Sequence, residues 1–209
     1  MTEKIIYTIG HSTHPFEQFY DLLITHNINC VIDVRSAPFS RIAPQYNKPA
    51  LSSKLKAAKI LYSHFGSEFG ARHTDINLLD DDGKVDFEKV RKTEQFNQGI
   101  QRLHSGLDIG YRIALMCSEA NPFDCHRFAM ISYQLVKEGM AVRHILKDGK
   151  ILDNAILEDM LIKKYFRKLP QSSLFDGEVT IRDQLEFAYK LRNKDIAYSE
   201  GDSNYKEVA

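Results

Sequence analysis

Five short apolar runs recur along the chain, and each gives way to a polar loop. They are KIIYTIG (4–10), INCVIDV (28–34), ILYSHF (60–65), YRIALMC (111–117) and AVRHIL (141–146). Segments with helical spacing lie between them. In PFEQFYDLLITHN (15–27), Phe16, Phe19, Tyr20, Leu23 and Ile24 share one face, and Pro15 suits a helix start. KPALSSKLKAAK (48–59), DFEKVRKTEQFNQGIQRLHSG (86–106) and DCHRFAMISYQLVKEG (124–139) read as further helices, the last carrying Phe128, Ile131, Leu135 and Val136 on one side. Strands this short and this apolar are buried on both faces, and parallel strands need crossover helices. The alternation predicts a three-layer α/β fold, with a mostly parallel five-stranded sheet and helices on both faces.

After the turn-like KDGK, NAILEDMLIKKYF (154–166) and TIRDQLEFAYKLRNK (180–194) read as helices, with a loop over 170–177 and a loose tail over 199–209. We therefore expect an α/β core over 1–152 and a helical appendage with a flexible tail over 153–209. The stretch 66–84 is too rich in Gly and Asp to form a core element.

Composition limits the function classes. Lys+Arg and Asp+Glu both number 28, so no overall basic footprint for nucleic acid exists. The start, MTEKIIYTIGHS, lacks a leader pattern, and no apolar run is long enough to cross a bilayer. Three cysteines give no disulfide framework. The reading is a soluble cytoplasmic protein with reduced thiols, no membrane association and no cofactor.

In a parallel α/β sheet, ligands bind beyond the carboxyl ends of the strands. The first strand runs into Gly10, His11 and Ser12, the second into Asp33, Arg35, Ser36 and Arg41, the third into His64, and the fourth into CSEANPFDCHR (117–127). In that last stretch Asp124 suits a helix N-cap, which would put Cys125, His126 and Arg127 in a first turn. A thiol there is acidified, and an arginine there invites an anion. The alternative is that Arg127 pairs with Asp124 or Glu119. Cys117 is either a buried core thiol or a nucleophile near Glu119. His11 suits an acid or base, or a structural hydrogen bond. Asp33 and Arg35 share a face and either pair or bind ligand together.

Other sites are disfavoured. A cysteine-phosphatase loop needs an arginine where this chain has Phe123. Zinc ligation by Cys117, Cys125, His126 and His11 is weakly supported, because seven residues part the cysteines. No metal is expected. GxGxxG and Walker patterns are absent.

YTIGHST, VIDVRSAPFSR, PQYN, ALMCSEANPFDCHR and VRHI resemble, in order, the family catalogued as domain of unknown function 488. The resemblance spans about 5–145. It implies an α/β domain with a shared polar site, and carries over Gly10, His11, Ser12, Asp33, Arg35, Pro38, Gln45, Asn47, Cys117, Glu119, Cys125, His126 and Arg127. The expected function is a thiol-dependent hydrolase or transferase acting on a small anionic or nucleotide-like ligand. Cys117, Cys125, Glu119 and His11 would do the chemistry. Gly10, Ser12, Asp33, Arg35, Arg41, Gln45, Asn47, His126 and Arg127 would bind the ligand. The alternatives are a non-catalytic nucleotide or nucleic-acid module and a metal-binding Cys/His site.

Overall fold

The apolar runs form β1 (Ile5–Gly10), β2 (Cys30–Asp33), β3 (Leu61–His64), β4 (Ile113–Cys117) and β5 (Ala141–Ile145), all parallel to their neighbours among these five. A sixth strand, β6 (Ile151–Asp153), runs antiparallel to β5. The sequence reading missed it because three residues after a tight turn, with Gly149 at φ +81°, carry no periodicity. Strand order is β3-β2-β4-β1-β5-β6. This is a computed structural model, and it describes residues 4–172 and 177–199. The expected C-terminal tail, from residue 200 on, and residues 173–176 of the expected loop lie outside the described residues.

The two sheet faces have separate cores. One packs α1 (Phe16–Thr25) and α2 (Lys48–Ala57) against the sheet through Phe19, Leu23, Leu51 and Leu55 over Tyr7, Ile9, Val31 and Met116. The other receives every later helix: α3 (Gly66–Phe69), α4 (Phe87–Arg91), α5 (Glu94–Asp108), α6 (Tyr133–Lys137), α7 (Asn154–Tyr165) and α8 (Ile181–Ile196). Here Ile6, Ile32, Ile113 and Leu115 meet Phe69, Phe96, Leu103, Leu135 and Leu157. Alternate residues of each buried strand feed opposite cores, which is why the runs are mostly apolar.

Two local expectations are revised. The helix expected over 86–106 is broken, because Asp86 caps α4 and the Thr93 hydroxyl accepts from the Phe96 N–H to start α5. Within the stretch 66–84, Phe69 is fully buried and belongs to the core. Residues after 152 share that core, since Leu157, Leu161, Ala188 and Tyr189 lie in the same cluster as the sheet.

β2 feeds a crossover toward β3 on one face, whereas β4 feeds one toward β5 on the other. Being adjacent, they leave a crevice between their carboxyl ends, the topological switch point of the sheet.

Candidate functional site at the carboxyl edge of the sheet

The loops after β1, β2 and β4 are bound to one another at this edge. The His11 N–H donates to the Cys117 carbonyl at 2.9 Å, and the Ser12 N–H to the Ser118 carbonyl at 2.8 Å. A Cβ on Gly10 would stand 1.9 Å from the Glu119 carbonyl oxygen, so only glycine lets the two loops come this close. Gly10 and Ser12 thus place the 118–120 backbone.

One layer below the surface lies a buried charged network. Arg35 donates from Nε to Asp33 Oδ1 (2.8 Å) and from Nη2 to Asp33 Oδ2 (2.6 Å) and the Tyr46 carbonyl (2.8 Å). Its Nη1 donates to His11 Nε2 at 3.0 Å. The Tyr62 hydroxyl donates to Asp33 Oδ2 at 2.8 Å. With Nε2 accepting, His11 Nδ1 is the protonated nitrogen and donates to the Ser12 carbonyl at 2.6 Å. Burial, and then the Arg35 cation, lower the His11 pKa to about 4. Its ring also stacks on Tyr46, centroids 4.1 Å apart. Both nitrogens of His11 are therefore engaged inside the protein. Arg35 borders the cleft, but its guanidinium is largely satisfied. Gln45 is tied to the His14 carbonyl and Asn47 to the Ser40 N–H, so both pin the loop after β2 from within.

Four groups meet above this layer. Glu119 Oε2 accepts from Cys117 Sγ at 2.7 Å and from Cys125 Sγ at 3.2 Å. His126 Nδ1 stands 3.8 Å from each sulfur. His126 Nε2 faces the Val34 carbonyl at 3.2 Å. A carbonyl only accepts, so Nε2 carries a proton and Nδ1 is the nitrogen that faces the sulfurs. Burial lowers the His126 pKa, but the Cys125 and Glu119 charges and the hydrogen bonds to Cys125 and the Val34 carbonyl outweigh it and hold that pKa up. The four side-chain atoms lie within 4.8 Å of one another, a set able to hold a metal ion.

The sulfurs differ electrostatically. Burial, with Cys125 beside it, pushes the Cys117 thiol well up. Burial also opposes ionisation of Cys125, but the Cys117 hydrogen bond and the Arg127 and His126 charges outweigh it and hold that thiol well down. Glu119 is pushed up by burial and by the negative charge of Cys125.

The helix after Cys125 departs from expectation. Asp124 ends a short 3-10 turn (Pro122–Asp124) capped by Asn121, and its carboxylate is held by Arg192 of α8 and the Asn121 amide. Cys125 is extended, at φ −126° and ψ 144°, and the chain enters a π-helical turn at Arg127–Ser132. Asp124 is therefore not the N-cap of a helix holding Cys125 in its first turn. Nor does Arg127 line the cleft. It is fully buried and donates to the Glu119 carbonyl at 2.6 Å and the Ala120 carbonyl at 3.2 Å, which fixes the loop carrying Glu119.

A cleft of about 490 Å³ opens over the cluster. Cys117, Glu119, Cys125 and His126 border it, with Arg35, Ser36, Phe39 and Arg41 on one side and Arg72, Ala197 and Tyr198 on the other. Sequence reading missed Arg72, Phe39 and Tyr198. Phe39 stands out only as an exposed aromatic in a loop, and Tyr198 sits at the end of what reads as an extension. A groove of about 710 Å³ between α4, α6 and α8 is larger, but it is lined by charges such as Glu88, Lys92 and Lys190 that pair with one another and holds no comparable cluster.

The family model described as "Domain of unknown function DUF488" matches residues 15–134, more than half of the chain. The chain belongs to the DUF488 family. No curated protein and no solved structure matches it. The matched segment carries β2, β4 and the whole Cys117–Arg127 loop of the candidate site. Tyr198, across the cleft, lies beyond it.

Proposed function

We propose that the protein is an enzyme acting on an anionic, nucleotide-like ligand bound in this cleft, with the Cys117–Glu119–Cys125–His126 cluster as its reaction centre. The observation that carries the reading is the contact of two thiols, a carboxylate and an imidazole on the floor of an open cleft at the switch point of the sheet. Packing such groups together costs desolvation and mutual repulsion, which a scaffold or simple binding surface has no need to bear. Arg41 and Arg72 border the same cleft, are exposed, and form no ion pair among the described residues. They supply the positive charge that the buried Arg127 does not. Phe39, 68% exposed, offers a flat apolar surface on which a base can stack, and Arg72 lies over the Tyr198 ring, 5.4 Å from its centroid.

The test is equilibrium binding of nucleoside mono-, di- and triphosphates, short oligonucleotides and inorganic phosphate, followed by analysis of products. Arg41→Ala/Arg72→Ala should weaken binding roughly tenfold or more and flatten its salt dependence. Cys125→Ala should abolish turnover while leaving binding within a few-fold. Binding that ignores both arginines, or no binding of any anion in the panel, would refute the reading.

A further inference from the structure

The reaction centre has the donor set of a metal site. Zinc takes thiolate at about 2.3 Å and imidazole or carboxylate at about 2.0–2.1 Å, so tetrahedral ligand atoms stand about 3.4–3.8 Å apart. Both distances from His126 Nδ1 to the sulfurs are 3.8 Å. Glu119 Oε2 lies closer, 2.7 and 3.2 Å from the sulfurs, and would swing outward by several tenths of an ångström.

The surroundings agree with this. His126 donates from Nε2 to the Val34 carbonyl and so turns Nδ1 toward the cluster, the usual arrangement for a metal-bound histidine. The Arg127 N–H points at Cys125 Sγ from 3.5 Å, as backbone amides do toward metal thiolates. A divalent ion with two thiolates, one carboxylate and a neutral imidazole leaves one net negative charge. The fully buried Arg127 guanidinium, whose Nε finds no partner among the described residues, is the counter-charge on the spot. Cys117 and Cys125 are free thiols, not a disulfide. His11 is excluded as a ligand because Ser12 and Arg35 occupy both of its nitrogens.

We propose that Cys117, Cys125, His126 and Glu119 bind one zinc ion, with three ligands turned inward and Glu119, on an exposed residue at the cleft, as the exchangeable fourth. The proposal rests on reading the cluster as a reaction centre. Both sulfurs bind as thiolates, Glu119 as a carboxylate and His126 as a neutral ring, so binding sends to solvent whichever protons these four groups hold in the metal-free protein. Moving Glu119 aside opens a coordination position toward the cleft, the distinction between a catalytic zinc and a closed structural one.

The full chain, purified without tag or chelator, is analysed for metal, then stripped and titrated with Zn²⁺ and Co²⁺. The expected result is one equivalent of zinc, proton release on binding in weak buffer, and a Co²⁺ adduct with the strong visible bands of a tetrahedral site and a thiolate charge-transfer band. Cys125→Ser and His126→Gln should each lower affinity at least a hundredfold. Glu119→Gln should keep the ion but alter the cobalt spectrum. No stoichiometric ion, one equivalent of a different metal, or a cobalt spectrum lacking the thiolate band would overturn the proposal, and these wild-type measurements hold even where a cysteine variant fails to fold. Nucleotide binding is scored separately on Arg41→Ala/Arg72→Ala. Zinc without nucleotide binding supports the metal site and refutes the preceding reading. Nucleotide turnover in metal-free protein does the reverse.

Discussion

Single residues decide whether this site exists at all. The Asp33–Arg35 pair is almost wholly buried, and removing one partner strands the other. Asp33→Asn should cost about 3–5 kcal/mol in urea unfolding, by analogy with other broken buried pairs. An unchanged midpoint would show that Tyr46 and His11 alone satisfy Arg35. Gly10 matters for a different reason. A methyl group there meets the Glu119 carbonyl, so Gly10→Ala should destabilise by about 1–3 kcal/mol or more and displace the loop that carries the carboxylate. Unfolding curves together with the Co²⁺ spectrum would separate the two effects. The identities of Cys117, Glu119, Cys125, His126 and Arg35 as site candidates were legible from strand ends. The inward role of Arg127 was not, because its partners are backbone carbonyls, which leave no trace in residue types.

At the level of elements, α8 is part of the site's foundation. Arg192, buried on α8, donates from Nε to the Phe123 carbonyl at 3.0 Å and pairs with Asp124, so it grips the loop between the two cysteines from below. Its guanidinium also lies over the Phe123 ring, 4.5 Å from the centroid. Arg192→Met keeps much of the volume but loses these bonds. It should cost about 2–4 kcal/mol and lower metal affinity, whereas Lys190→Met, an exposed change one turn-face away, should do neither. Equal effects of the two substitutions on affinity would show that α8 only adds bulk. The π-helical turn that follows is held by the Ser132 hydroxyl, which donates to the Arg127 carbonyl at 2.7 Å. A wide turn of this kind is common beside functional groups, and here it lies directly after His126.

For the molecule as a whole, two buried neutral histidines tie stability to pH. His11 is held at about 4 by burial and Arg35, and His144 at about 3 by burial. His144 accepts from the Thr8 hydroxyl at 2.8 Å and donates to Asn154 Oδ1 at 3.1 Å, linking β1, β5 and α7. Both folded pKa values lie below the unfolded one near 6.5. Above pH 6.5 neither state is protonated and the contribution is complete. As pH falls, the unfolded chain takes up protons that the folded chain refuses, so stability is lost from about 6.5 downward until the folded values are reached. The loss should be about 1.6 kcal/mol per histidine between pH 6.5 and pH 5. Urea unfolding at the two pH values checks this, and His144→Gln should show the smaller drop. A variant with the wild-type drop would mean that His144 protonates freely in the folded chain.

The sequence by itself determined the layers. Strands buried on both faces must be mostly apolar, and β1, β2 and β4 are, with Thr8 and Asp33 as the polar positions of the first two, while β5 carries Arg143 and His144 among apolar residues and the helices between the strands carry their apolar residues on one side. It also determined which polar residues leave the carboxyl edge, because that follows from strand direction alone. Only the tertiary structure decided which of those residues meet. Cys117 and Cys125 are brought together by an extended residue and a 3-10 turn held by α8, and Arg72 and Tyr198 reach the cleft from segments far apart in the chain. Periodicity records which side of an element is buried. It holds no information on contacts between side chains from separate loops, whose distances are fixed by packing and by hydrogen bonds to the backbone.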